Sequence, residues 1–377
     1  MTGTSKTLIV LTAGGTGGHM FPADALANAL IGKGCRVALV TDRRGGAYGE
    51  TLQKIDTHKL RAGQVTGRGP IARLLGLADI ALGTFQARSL LKRLKPTVVV
   101  GFGGYASFPA MIAAGWLGIP SALHEQNAVL GRANRFLARR ARRIAVAYPD
   151  VHGVRPGDLG KLVVTGNPVR APIAALAGAP YPNIAKGKPV NLLVLGGSQG
   201  ARVFSEIVPA ALAMLTPSKR KRLRIAQQCR EEDIEEAARI YAEAGLKPIL
   251  ASFFDDVPKR LKTASLLICR AGASTIAELT AAGRPAILVP YPYATDDHQT
   301  ANARAVAQAG AGWLAPQPQF TAAWLAERIA ELLDRPAELA GAAKQARKIG
   351  HPDAAERLAK MVLGLVPGPA RHAGNAA

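Results

Sequence analysis

Four glycines and a histidine, in Gly14-Gly15-Thr16-Gly17-Gly18-His19, follow the apolar segment from Leu8 to Leu11. Glycine lets backbone N–H groups approach an anion with no Cβ in the way, and a helix opening behind such a loop adds the positive end of its dipole. His19 carries a group whose reference pKa suits proton abstraction near neutral pH, so the combination fits a general base beside a phosphate-bearing ligand. A histidine that only braces the turn would leave the same string. His124-Glu125-Gln126-Asn127 is a second polar constellation. It lacks the helical HExxH spacing of a zinc site. Asn127 can offer donor and acceptor to a sugar or amide, or cap a helix, and Glu125 can pair with a nearby base.

The second half repeats the glycine pattern in Gly196-Gly197-Ser198-Gln199-Gly200. Further on, Gly272-Ala273-Ser274-Thr275-Ile276-Ala277-Glu278 combines small residues with a helix start, a pattern that can seat a diphosphate on backbone N–H groups. Glu278 can then accept from a ribose diol, or pair with Arg284 or another base. Asp296-Asp297-His298-Gln299 places two acids and a histidine side by side, but no third distant metal ligand accompanies them. Gln299 suits a hydroxyl-rich ligand better.

These residues need strands and helices to present them. Strands are expected over 8–11, 36–41, 98–100, 144–147, 162–165, 190–195, 248–251, 266–268 and 286–289, each short and apolar, with helical patterns between them. The first helix is expected to open near Met20, with Pro22 in its first turn. This alternation predicts an α/β protein of two similar halves, with parallel sheets covered on both faces and a deep cleft between the carboxyl ends of their strands. Gly166-Asn167-Pro168 punctuates the chain best, and Arg170 lies just beyond it. The expected division is 1–167, 168–349, a terminal helix over 350–365 that can return to the first domain, and a tail over 366–377. An NAD site is disfavoured, because the first glycine loop fits GxGxxG poorly, although Asp42 could imitate the ribose-binding acid.

The 377 residues carry 48 Lys plus Arg against 26 Asp plus Glu, a net charge of +22 that favours anionic surfaces. The densest runs, Arg139 to Arg143 and Lys219 to Arg222, read as solvated helical faces. Neither a zinc-finger spacing nor an aromatic RNA-binding motif accompanies them, so no nucleic acid is expected. Three scattered cysteines suggest a reducing compartment. No signal peptide and no uninterrupted apolar run of membrane-spanning length is recognised.

The glycine loops, Gly101-Phe102-Gly103-Gly104-Tyr105, His124 to Asn127 and Asp297-His298-Gln299 occur in one order along nearly the whole chain. In this the chain resembles the MurG family, inverting glycosyltransferases of family 28 with the GT-B fold of two Rossmann-like domains. The resemblance implies transfer of N-acetylglucosamine from UDP-N-acetylglucosamine to lipid I, undecaprenyl-diphospho-MurNAc-pentapeptide, at the cytoplasmic face of the inner membrane. The product is the β-1,4 bond of lipid II, formed in peptidoglycan synthesis without a metal or other cofactor. It also implies a peripheral protein on an anionic membrane, with other cell-wall proteins as further partners. The donor would meet Thr16, Gly17, Gly18, Asn127, Arg170, Ser198, Phe254, Ala273, Ser274, Thr275, Glu278 and Gln299. His19 would be the base, and Gly14, Gly15, Gly103, Gly104, Tyr105, His124, Glu125 and Asn134 would serve the acceptor. The stretch from Ile71 to Phe85, with Arg88, Lys92, Arg93 and Lys95 behind it, would touch the membrane, although a buried helix with a basic solvated face has the same pattern. Gln227-Gln228-Cys229-Arg230 departs from the His-Gln-Thr-Gly usual in relatives. Another UDP-sugar transferase, or an inactive nucleotide-sugar or lipid-binding module, would share much of this pattern.

Overall fold

The computed structural model describes residues 7–14, 17–42, 49–63, 70–185, 187–197 and 201–367, the side chains of 70–73 excepted. The chain divides into two compact units: 1–126, 130–168 and 353–377 in the first, and 127–129 with 169–352 in the second.

The first unit is built on a parallel sheet of β1 (Leu8–Thr12), β2 (Arg36–Thr41), β3 (Asp56–Lys59), β4 (Val98–Gly101), β5 (Ser121–Glu125), β6 (Arg143–Val146) and β7 (Leu162–Val164), in the order 3-2-1-4-5-6-7. Its central strands β1, β4 and β5 are buried along almost their whole length because both faces are covered. Helices α1 (Gly17–Gly32), α2 (Pro70–Leu94), α3 (Gly104–Trp116) and α4 (Arg132–Leu137) supply most of the cover. On one face, Ala87, Leu90 and Leu91 of α2 and Ala110 to Ala114 of α3 pack with Val10, Val99, Leu123, Ile144 and Val146. On the other, Met20, Leu26, Ala27 and Leu30 of α1 pack with Ile9, Leu11, Val100 and Ala145. Leu358, Ala359 and Val362 of the C-terminal helix, Ala354–Leu363, close that second face.

The second unit repeats the construction with β8 (Val190–Leu195), β9 (Leu223–Gln228), β10 (Ile249–Ala251), β11 (Leu266–Cys269), β12 (Ala286–Leu288) and β13 (Gly312–Leu314), in the order 10-9-8-11-12-13. All pairs are parallel. The two sheets are the doubly wound Rossmann pattern, in which strand order reverses beside the first strand and leaves a crevice at the carboxyl ends there. In the first unit that reversal lies between β1 and β4, and in the second between β8 and β11. Both glycine loops therefore leave a strand at a reversal point.

Two expectations change, and a third gains a qualification. Helix α1 opens at Gly17 rather than near Met20, so His19 stands in its first turn, where N–H groups lack helical partners and two glycines cost least. The Arg139–Arg143 run is not a helical face: Arg139 and Arg140 follow α4, and Arg143 opens β6. By length and composition, Leu74–Leu94 is long and apolar enough to cross a membrane. The apolar run is not uninterrupted, since Asp79, Gln86 and Arg88 fall within it, and the stretch qualifies on its average hydropathy. Within this stretch Ala87, Leu90 and Leu91 are buried in the unit's own core.

Candidate active site

In the first unit the residues singled out from the sequence gather at the reversal point. Gly14 ends the strand segment where a Cβ would overlap that of Ala106, so the close approach of the loop to α3 requires glycine there. Gly15 and Thr16 lie outside the described residues. Gly103 and Gly104 both have positive φ, 86° and 74°, which bends the chain from β4 into α3. A Cβ on Gly104 would stand 3.5 Å from His19 Cδ2, and one on Gly103 would stand 3.6 Å from His19 Cε1 and 3.4 Å from Asn134 Nδ2. The imidazole of His19 thus packs against bare backbone. Tyr105 is half-buried in the first turn of α3.

Around this contact the polar groups hold one another. Ser107 Oγ donates to the Gly103 carbonyl at 2.6 Å, and Gln126 Nε2 donates to the Phe102 carbonyl at 2.9 Å. Asn134 Nδ2 donates to Glu125 Oε2 at 2.9 Å, which also accepts from Gly131 N–H at 2.9 Å. His124 is fully buried on β5, with its ring against Phe102 and Nε2 3.1 Å from the Gly166 carbonyl. Burial pushes its pKa down to about 4, the bond to Gly166 opposes the shift, and the nearby His19 adds to it. His124 is therefore neutral at pH 7 and braces the site from beneath.

In the second unit the loop after β8 is described as far as Gly197, and Ser198 lies outside the described residues. Gly197 has φ +84°. Gln228, at the end of β9, accepts from Gly196 N–H through Oε1 and donates through Nε2 to the carbonyls of Gly197 and Ser252. Its neighbour Gln227 is fully buried, donating to the Phe204 carbonyl and accepting from Tyr241 OH at 2.6 Å. Arg230 pairs with Asp233 and Glu232. Gln227–Arg230 is thus built into β9 and its exit: the glycine loop is fixed by Gln228, the position that keeps the usual glutamine, while the departures at Gln227, Cys229 and Arg230 lie around it.

After β11 the helix Ala273–Ala281 begins, capped by Gly272. Ala273, Ser274 and Thr275 form its half-buried first turn, and among the described residues Ser274 Oγ, sheltered from solvent, has no hydrogen-bond partner. An unpaired hydroxyl beside the free N–H groups of a helix start is suited to an anionic oxygen. Glu278, one turn on, is held by Arg170 through two bonds, Nε to Oε1 at 2.8 Å and Nη2 to Oε2 at 3.1 Å. Arg284 is not its partner. That guanidinium is fully buried and spends its donors on the carbonyls of Leu261, Lys262, Gly283 and Pro180. Phe254 is buried, with the Arg260 guanidinium 4.0 Å from its ring centroid.

Gln299 is half-buried on the helix His298–Gln308, its Oε1 accepting from Tyr291 N–H at 3.0 Å. Asp296 and Asp297 before it adopt left-handed backbone, φ 53° and 50°, which costs energy in a non-glycine residue. His298 Nδ1 bonds the Thr295 carbonyl at 2.7 Å. Among the described residues, no three His, Cys, Asp or Glu side chains group as a metal site.

Asn302 was not singled out. Fully buried one turn beyond Gln299, it donates to Asn127 Oδ1 at 3.0 Å and to the Ala271 carbonyl at 3.1 Å, and accepts from Ala128 N–H at 2.7 Å. One amide thereby sets Asn127, the turn before Ala273 and the Gln299 helix. The available signal was its i, i+3 spacing from Gln299.

Residues 9–146 match the glycosyltransferase family 28 N-terminal domain, and residues 191–358 match the family 28 C-terminal domain. A relative from Paramagnetospirillum magneticum is 56% identical, over 97% of this chain and 98% of its own. It is named UDP-N-acetylglucosamine--N-acetylmuramyl-(pentapeptide) pyrophosphoryl-undecaprenol N-acetylglucosamine transferase. A protein of the same name from Brucella suis is 44% identical, over 96% of this chain and 95% of its own. The crystal structure of Acinetobacter baumannii MurG superposes with a TM-score of 0.77 at 33% identity, covering 95% of this chain and 99% of that one.

Proposed function

Because the chain belongs to the MurG family of glycosyltransferases, we propose that it transfers N-acetylglucosamine from UDP-N-acetylglucosamine to the MurNAc C4 hydroxyl of lipid I, giving lipid II and UDP. The observation that carries the residue assignments is the placement of the family's glycine loops at the reversal point of each sheet. In the first unit that crevice holds His19 against Gly103 and Gly104. In the second it holds the helix start with the unpaired Ser274 hydroxyl.

His19 takes the proton of the acceptor C4 hydroxyl as its oxygen attacks the anomeric carbon. The bond from that carbon to the UDP oxygen breaks, its electron pair leaves with the diphosphate, and the configuration inverts. The Ala273 helix start, Ser274, Ser198 and Arg170 balance the charge gained by UDP, by electrostatic means. Glu278 accepts from the ribose, the Phe254 backbone meets the uracil, and Gln299, Asn127, Thr16, Gly17 and Gly18 meet the sugar. Gly14, Gly15, Tyr105, His124, Glu125 and Asn134 shape the acceptor side around Gly103 and Gly104. The Gln299 amide nitrogen is left to donate, since its oxygen is already held.

We also place the chain peripherally on the cytoplasmic face of the inner membrane, through α2. Leu74, Leu75, Leu77, Leu82 and Phe85 point outward from that helix, Phe85 meets the exposed Trp116 ring, and Arg88, Lys92 and Arg93 flank them in solvent. Exposed apolar side chains beside bases suit shallow insertion into an anionic surface.

The test is turnover of labelled UDP-N-acetylglucosamine with a short-chain lipid I analogue, scored for both UDP and the β-linked disaccharide. Disaccharide is expected, and His19→Ala is expected to lower kcat by about 100- to 10,000-fold while UDP still binds. Failure of the wild-type chain to form disaccharide overturns the function, whereas normal turnover by the variant overturns only the role of His19.

A further inference from the structure

A groove of about 810 Å³ lies in the first unit away from the glycine loops, lined by Arg142, Arg143, Arg357, Lys360, Val163, Val164, Met361 and Leu365 among others. Its volume is in the range of small-molecule sites, roughly 300–1,000 Å³. The groove lies between the C-terminal helix and β7, which ends the sheet beside β6 among the described residues. Side chains alternate along a strand, so Arg143 shares a face of β6 with Ala145, and Val163 sits opposite Ala145 in register. Ala145 packs with Leu358, Ala359 and Val362. The groove is therefore on the α1 side of the sheet, opposite α2 and its outward-facing leucines.

The lining is sorted by polarity along its length. Arg142 and Arg143 stand where β6 begins, and an ion pair from Lys33 to Glu356 ties the first turn of the C-terminal helix to the end of α1 near that same strand-start edge. That places Arg357 at the cationic end. Going toward the strand ends, the lining turns to Val163, Met361 and Leu365, with Lys360 between. Among the described residues no acidic side chain lines it. Arg357 is bonded to Asp353. Arg142, Arg143 and Lys360 make no side-chain ion pair among the described residues.

We propose that this groove binds a phosphate-headed amphiphile, a lipid phosphodiester whose head meets Arg142, Arg143 and Arg357 and whose apolar part lies along Val163, Met361 and Leu365. Four cationic side chains without a lining acid select an anion. The apolar end distinguishes a lipid from free phosphate. The site is separate from the donor-binding loops and from α2.

Calorimetric titration of the full chain with dihexanoyl phosphatidylglycerol, below its micelle concentration, tests this. One saturable site per chain is expected, with dihexanoyl phosphatidylcholine and inorganic phosphate each weaker by at least about tenfold. The double variant Arg143→Ser, Lys360→Ser should weaken phosphatidylglycerol by at least about tenfold with an unchanged circular dichroism spectrum, whereas Phe85→Ser should not weaken it. Equal binding of both lipids, equal binding of free phosphate, no effect of the double variant, or loss through Phe85→Ser would each overturn the proposal. Capture of an acidic apolar peptide in place of the lipid would overturn it as well.

Discussion

His124 shows how a buried histidine can serve a site without touching the reaction. Its pKa is near 4 in the fold and 6.5 in the unfolded chain, so between those values the unfolded state binds more protons. Its contribution is therefore intact above about pH 6.5 and is lost as pH falls toward 4. Denaturant midpoints at pH 7 and pH 5 should show an acid loss in the wild-type chain that is smaller in His124→Gln. An equal loss in both would reject the assignment. At Glu278 the sequence was informative about the residue and not about its partner. The carboxylate is held by Arg170 from outside its own helix, and Arg284 makes no bond to it because its donors are saturated by carbonyls. If both residues serve the donor, that fork must be shared or exchanged on binding. Arg170→Met should then raise KM for UDP-N-acetylglucosamine more than it lowers kcat, as steady-state kinetics would show.

Among the elements, the apolar strands were legible and the polar or short ones were not. β2 falls on the residues expected, because Val37 to Val40 form an unbroken buried run. β3 is Asp-Thr-His-Lys on a sheet edge, where charge is tolerated and no apolar pattern exists to read. β5, β9 and β13 also went unrecognised. The signal of β5 was obscured by the polar His124 and Glu125, that of β9 by Arg224 and two glutamines, and β13 has only three residues. Both glycine loops were plain, since their function leaves composition no choice. The residues that hold them were not. Gln228 ends a strand whose pattern was not readable, and Asn302 finds Asn127 across 175 positions. Replacing Asn302 with Ala leaves the Ala128 N–H and the Ala271 carbonyl without that amide, at about 1–3 kcal/mol for an unsatisfied buried group. Chemical denaturation should register that loss, and Asn302→Asp should lose at least as much, because its carboxylate can accept from Ala128 N–H but meets Asn127 Oδ1 and the Ala271 carbonyl with no donor.

For the whole molecule, the net charge of +22 is not one uniform surface. In the Lys219–Arg222 run, Lys219 bonds Asp334 and the Ala330 carbonyl, Arg220 the Ala244 carbonyl, and Arg222 the carbonyls of Lys188 and Leu333. These bases end helices and loops in the second unit. Those beside the exposed face of α2 are different, being solvent-facing and next to unburied leucines. Co-sedimentation with vesicles containing phosphatidylglycerol should fall with rising salt, and should fall further in Leu75→Gln, Phe85→Ser at any one salt concentration. Unchanged binding by that variant would remove α2 from the membrane face.

The return of the C-terminal helix to the first unit also bears on the order in which a ribosome releases foldable pieces. Leu358, Ala359 and Val362 cover Met20, Leu26, Ala27 and Leu30, yet more than three hundred residues separate the two sets. The second unit, contiguous apart from 127–129, has all its strands in hand while that face of the first is still bare. The half synthesised first is thus the half finished last. During that interval its α1 face is the surface a chaperone would find.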